Sequence, residues 1–195
     1  RRDFNAHHLA SEMSAIGLDL REVLMIADDH DVIVETVNAM RAQYTYVFTS
    51  GGIGPTHDDI TADAIGAAFG LPVEEDGRAM AVMAAHYEER NQPFTAARRR
   101  MARLPEGAAI IDNPISKAPG FVVANVHVMA GVPAIFQAML DNVVPTLRTG
   151  RKLMSRSVHC PFGEGSSSAP LAEIQEAYPD AVVGSYPAFE EGAFW

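Results

Sequence analysis

The residues with the clearest chemical potential lie in one stretch, Ser50-Gly-Gly-Ile-Gly-Pro-Thr-His-Asp-Asp-Ile-Thr61. Glycines at 51, 52 and 54 admit positive φ and let the main chain approach a ligand with no Cβ in the way. Backbone N–H groups from Gly51 to Thr56 can then converge on an anion, helped by the dipole of a helix beginning near Asp59. The Thr56 hydroxyl adds a donor. The stretch is not a phosphate loop of the Walker type, because no Lys-Ser/Thr follows the last glycine, and it is not Gly-x-Gly-x-x-Gly. Asp58 and Asp59 are unfavourable beside an anion unless a cation lies between. Mg²⁺ or another divalent cation at Asp59, bound together with a phosphorylated ligand, resolves the conflict. Helix capping competes for the same carboxylates; the expectation is that one caps and the other faces the ligand. On physics alone, ligand site and structural turn weigh equally.

Other candidates are sparser. Lys117, between Pro-bounded turns, can meet a phosphate as a point charge or stand as a solvated loop lysine. Ser116 is a hydroxyl donor without a local partner that would make it a nucleophile. Gly131-Val-Pro133 opens a helix whose N-terminus could face an anion, or simply starts an ordinary helix. Arg98, Arg99, Arg100 and Arg103 read first as a solvated helix face and second as an anion site. His7 and His8 are adjacent, so on a helix they point about 100° apart. His30, His86 and His127 are isolated, and His57 reads as solvent-facing in the loop. No His-x₃-His or His-Glu-x-x-His spacing occurs, so transition-metal ligation is not expected. The Gly165–Ser168 run reads as a flexible loop.

Strands alternating with amphipathic helices must position these groups. Asp3 caps a first helix carrying Leu9, Met13 and Ile16 and stopped by Gly17. Glu22–Ala27 reads as a short apolar strand. Asp28-Asp29 opens a helix with Val32, Val37 and Met40, and Tyr44–Thr49 is a strand that delivers the glycine stretch. A helix over 60–69 follows, then helices over 76–87 and 94–104, a strand at 108–111, and a hairpin over 121–129 turning at Ala124-Asn125. A helix over 132–147 tolerates Pro133 in its first turn. This order implies an α/β domain with a mostly parallel sheet over 1–150. Residues 151–195 read as a small β-α-β appendage, with strands at 155–160 and 181–185.

Whole-chain properties narrow the function classes. With 195 residues, 48% apolar and 21% charged, the chain can bury one good core. A net charge of −10 argues against general nucleic-acid binding. One cysteine, Cys160, precludes an internal disulfide. No apolar run reaches membrane-spanning length and no signal peptide is seen, so no membrane partner and a cytoplasmic location are expected.

Three segments carry a resemblance. Ser50–Thr61 resembles the signature loop of the MoaB/Mog molybdopterin-binding family, in the form of its CinA amino-terminal branch. Asn113-Pro-Ile-Ser-Lys-Ala-Pro-Gly-Phe121 resembles that branch's Asn-Pro-x-Gly-Thr-Ala-Pro-Gly-Phe, with Ser116-Lys117 in place of Gly-Thr. Gly131-Val-Pro133 resembles the end of its Leu-Pro-Gly-Val-Pro, with Met129-Ala130 in place of Leu-Pro. The resemblance implies a three-layer α/β/α sandwich whose first strand and Gly-Asp-Glu turn precede Arg1. It implies ligand contacts from Ser50, Gly51, Gly52, Gly54, Pro55, Thr56 and Thr61, from Ser116, Lys117, Ala118, Pro119 and Gly120, and from Gly131 and Pro133. Asp59 matches an aspartate that serves the Mg²⁺-nucleotide step in adenylyltransferase members; Asp58 matches the CinA-like branch alone. The implied ligand is molybdopterin, in molybdenum cofactor biosynthesis. The alternatives are a metal-dependent ADP-ribose or dinucleotide pyrophosphatase and a non-catalytic binding module. Family members are commonly dimers or trimers, so a homo-oligomer is implied.

Overall fold

The computed structural model describes residues 3–150 and 154–186. Helix α1, Phe4–Ala15, starts where Asp3 Oδ1 accepts from Ala6 N at 2.9 Å. It ends in a Schellman turn: Leu18 N donates to Met13 O and Gly17 takes φ 78°. Helix α2, His30–Gln43, is capped by Asp29, which accepts from Asp31 N and Val32 N. Between these helices the expected strand at Glu22–Ala27 is not formed. Val23, Leu24, Met25 and Ile26 are 54, 48, 85 and 43% exposed, and no neighbouring strand among the described residues takes up their backbone groups.

Strand β1, Val47–Ser50, is shorter than the Tyr44–Thr49 expectation, because Tyr44 ends α2 as its C-cap. Helix α3, Thr61–Phe69, stops at Gly70 with φ 66°. Next come β2 (Val73–Glu75), α4 (Gly77–Glu89, capped by Asp76), α5 (Ala96–Arg100) and β3 (Arg103–Pro105). The helix expected over 94–104 is therefore one short turn of helix. Arg103–Pro105 instead pairs antiparallel with β2, with Pro105 opposite Val73. Strands β4 (Ala109–Ile111), β5 (Gly120–Val123) and β6 (Val126–Met129) follow. Helix α6, Pro133–Val143, gives way to a 3₁₀ turn at Val144–Thr146, because Pro145 has no N–H to continue it.

The main sheet has order β1-β6-β5-β4. β1 and β6 are parallel, with Val47 opposite Val126 and Ser50 opposite Met129; the β5–β6 hairpin and the β4–β5 pair are antiparallel. The hairpin turns at Ala124-Asn125 as expected, Ala124 taking φ 51°. Side-chain alternation divides the core. Val126, Val128 and Phe121 pack with Ile33, Val37 and Ile65 of α2 and α3 on one face. Ile111 and Met129 pack with Leu9 and Met13 of α1 and Phe136, Met139 and Leu140 of α6 on the other. The result is a three-layer α/β/α sandwich.

The chain divides into two compact units, 1–153 and 154–195. In the second, helix α7 covers Glu164–Ala177, with Pro170 inside it and no buried residue. The serine run read as a loop is thus helical. The segments 155–160 and 181–185 carry no strand ladder among the described residues, so the expected β-α-β appendage is represented there by its helix alone.

Candidate functional site

The glycine stretch leaves the C-terminal end of β1 and enters α3. Gly51 N donates to Met129 O at 2.9 Å, extending the β1–β6 ladder by one bond. Gly51 and Gly52 then take φ 108° and 70°, in the region that favours glycine. A Cβ on Gly52 would fall on the Thr61 hydroxyl, and Thr61 N donates to Gly52 O at 2.9 Å. Thr61 is 7% exposed. It braces the turn from beneath.

Asp59 bends back over the loop. Its Oδ2 accepts from Thr56 N at 2.9 Å and from Thr56 Oγ1 at 2.5 Å. Gly54 makes this possible, since a Cβ there would stand 2.6 Å from Asp59 Oδ2. The capping expected of one aspartate is therefore directed at Thr56 within the loop, while the α3 N-cap, Ile60, has no side-chain bond. The Thr56 hydroxyl first, then its own backbone N–H, hold the exposed Asp58 carboxyl below the usual carboxylate range. The N–H groups of Gly52, Ile53 and Gly54 find no acceptor among the described residues.

Two hollows flank the loop. One is lined by Gly52, Gly54, Asp59 and Pro119 together with Asp63, Arg100 and Arg103. Here the arginine run departs from its reading as one solvated face. Arg98 stacks over Tyr87 at 4.3 Å and Arg99 pairs with Glu75. Arg103 grips both oxygens of Asp63 at 3.0 and 2.6 Å. Arg100 donates to Asp59 O at 3.1 Å, stands 3.8 Å from Asp63 Oδ2, and keeps a buried Nε with no partner among the described residues. The second hollow, about 250 Å³, is lined by Ser50, Gly131 and Pro133 with Asp3, Phe4, Asn5 and Met25. A Cβ on Gly131 would stand 3.2 Å from Gly51 Cα, so a side chain there needs the two loops to part by a few tenths of an ångström.

Pro55, Thr56, Asp58, Ser116, Lys117, Ala118 and Gly120 line neither hollow. Asn113, 1% exposed, organises their loop: its Nδ2 donates to Ser116 Oγ and Ala118 O, and its Oδ1 accepts from Ile115 N and Ser116 N. Ser116 Oγ thus accepts from Asn113 and keeps its own proton to donate, and Lys117 sits at φ 63°. Gly120 lies against Val128 O, where a Cβ would clash.

Asn5 and Arg100 were not identified as site residues from the sequence. Asn5 stands in the Asp3-Phe4-Asn5 segment that resembles the family's Asp-x-Asn, and Arg100 in the basic run whose second reading was an anion site, but neither reading tied the residue to the glycine turn. Among the described residues no three His, Cys, Asp or Glu side chains come together as metal ligands. A protein-built metal cage is therefore not present among them. Asp59 Oδ1 accepts no hydrogen bond from the described residues. No helix among the described residues is long and apolar enough to cross a membrane.

An α/β/α sandwich with a glycine-rich turn at the C-terminal end of a parallel strand has the layout in which open α/β sheets place ligand sites, and the N–H groups of Gly52, Ile53 and Gly54 lie at that turn without an acceptor among the described residues. A family model described as "Probable molybdopterin binding domain" matches residues 1–149, and the chain belongs to that family. A second model, "FAD synthase, middle domain", matches residues 152–194. The chain is 32% identical to a protein of Pyrobaculum arsenaticum, over 97% of this chain and 75% of that one. It is 30% identical to a protein of Archaeoglobus fulgidus, over 94% and 77%. The crystal structure of CinA from Thermoplasma acidophilum, a protein described as of unknown function, superposes with TM-score 0.67 and 27% identity, covering 75% of this chain and 88% of that one.

Proposed function

We propose that this domain binds a phosphorylated pterin or nucleotide at the Gly51–Thr56 turn. The observation that carries the reading is the row of unclaimed N–H groups at Gly52, Ile53 and Gly54, with the Arg100 guanidinium beside them. Preorganised donors in a turn fixed by Thr61 and Asp59 lose little freedom when an anion arrives. Molybdopterin is the ligand the family name favours. Its phosphate would sit on the turn, and Asp59 Oδ1 with Asp58 would hold a cation between them.

A second reading is favoured by the match of the later residues to a FAD synthase domain: cleavage of a pyrophosphate in ADP-ribose or a related dinucleotide. The chain's own part in that reaction is to neutralise phosphate charge through N–H groups and Arg100 and to orient the scissile bond. A bound divalent cation would polarise the phosphoryl oxygens.

Molybdopterin, ADP-ribose and FAD, each incubated with Mg²⁺, with Co²⁺ and without metal, separate these readings when both retention and products are measured. Saturable retention of molybdopterin without new products supports the first reading. Metal-dependent release of AMP supports the second. If none of the three ligands is retained or cleaved, the site does not take phosphorylated ligands of this class.

A further inference from the structure

Asp63, in the first turn of α3, stands near two arginines and is held by only one of them. Arg103 of β3 spans it as a fork, Nη1 donating to Oδ2 at 3.0 Å and Nη2 to Oδ1 at 2.6 Å. That pairing uses both carboxylate oxygens and is the geometry in which a guanidinium binds a carboxylate best. Arg100, from the end of α5, stops short of the same group, with Nη2 3.8 Å from Oδ2 and so outside hydrogen-bonding range. It donates instead to the main-chain carbonyl of Asp59 at 3.1 Å. A neutral carbonyl does not cancel a charge. Arg100 is therefore a cation with no hydrogen-bonded counter-ion among the described residues.

Arg100 is also poorly used as a brace. Of its five N–H donors one is bonded among the described residues, and Nε is buried without an acceptor. Because Nε is closed off, only the Nη groups can meet a ligand. The residue lines the hollow that also contains Gly52, Gly54 and Asp59. Asp63 would be the natural partner for this charge if Arg103 released it. Closing 3.8 Å to the roughly 2.8 Å of a charge-assisted bond takes only a small turn of the Arg100 side chain. That turn would draw the guanidinium off the Asp59 carbonyl and neutralise it.

We infer that Arg103 is a positioning residue for the glycine turn. By occupying both oxygens of Asp63 it keeps Arg100 on the Asp59 carbonyl with its charge available to an anion. The presence of an anion there rests on the function proposed above; the competition of two arginines for one carboxylate does not.

Arg103→Lys tests this without changing the net charge. A single ammonium cannot span both oxygens as the fork does, so part of Asp63 becomes open to Arg100. The full chain is titrated with inorganic phosphate by NMR as the unaltered protein, Arg103→Lys, Asp63→Asn and the double variant, with melting profiles recorded for each. Arg103→Lys is expected to weaken phosphate binding about tenfold, the worth of one charge-assisted contact. In the Asp63→Asn background the same change is expected to alter affinity by less than about twofold, since no carboxylate remains to attract Arg100. Equal weakening in both backgrounds would assign the effect to a contact of Arg103 itself or to the fold, and would overturn the inference. Undiminished binding in Arg103→Lys would overturn it as well. The crystal structure of Arg103→Lys without ligand gives an answer that needs no binding. Arg100 within hydrogen-bonding distance of Asp63 upholds the positioning role, and Arg100 still on the Asp59 carbonyl overturns it. Failure of the unaltered chain to bind phosphate counts against the function proposed above, and the ligand-free structure then decides the role of Arg103.

Discussion

Asp59 illustrates how a carboxylate in a glycine-rich turn is shared between scaffold and chemistry. With Oδ2 committed to Thr56 N and Oγ1, only Oδ1 remains for a cation. Asp59→Ala is therefore expected to lower stability by about 1 kcal/mol, the loss of an exposed pair of hydrogen bonds, and to weaken ligand retention with or without metal. Asp59→Asn keeps one acceptor for Thr56, so it should recover most of the stability while losing any metal dependence; urea denaturation and retention assays separate the two. Gly52→Ala is the sharper structural test. At φ 70°, with Thr61 Oγ1 where the new methyl must go, the change is expected to cost about 2–4 kcal/mol. Gly77→Ala, in the first turn of α4 with open space around it, should instead be neutral or stabilising by up to about 1 kcal/mol in the same assay.

At the scale of elements, what could be read from the sequence followed the local physics. Asp3, Asp29 and Asp76 cap helices because each carboxylate meets its own next-turn N–H groups, a relation contained within a few residues. The glycine turn was visible for the same reason. Strands β2 and β3 were not, since three residues with mixed polarity have no period to display, and their pairing joins Val73 to Pro105 across 32 positions. Glu22–Ala27 failed in the opposite sense: its composition suits a strand, but a strand exists only where a neighbour accepts its bonds. The candidate site was legible in the turn and not in Asn5 or Arg100, which reach it through tertiary contacts alone. Asn113 is another such residue, visible in the sequence as part of a motif but not as the organiser of its loop. Its amide joins the N–H of Ile115 and Ser116 to the Ala118 carbonyl between β4 and β5. Asn113→Ala is expected to cost about 3 kcal/mol, because several buried groups lose partners at once, as thermal or urea unfolding would show.

At the scale of the larger compact unit, the sheet carries one core on each face, and a histidine lies on an inner strand of it. His127, on central strand β6, is 5% exposed, stacks on Phe48 at a centroid separation of 5.0 Å, and meets the Tyr46 ring edge-on at 5.9 Å. Its Nδ1 has no partner among the described residues. Burial pushes the imidazole below its ordinary value. The folded protein therefore takes up this proton at lower pH than the unfolded chain, which binds it near pH 6.5. The unfolded state holds more protons between the two values, so stability must rise with pH through that window. The contribution is complete above about pH 6.5 and is lost as pH falls toward the depressed folded value. One such group gives a slope of at most about 1.4 kcal/mol per pH unit. His127→Phe retains an aromatic ring against Phe48 and removes the proton. Urea denaturation between pH 5 and 8 is expected to show a shallower pH dependence in this variant than in the unaltered chain. Equal slopes would mean that the acid sensitivity arises at other groups and that the buried imidazole takes no part in it.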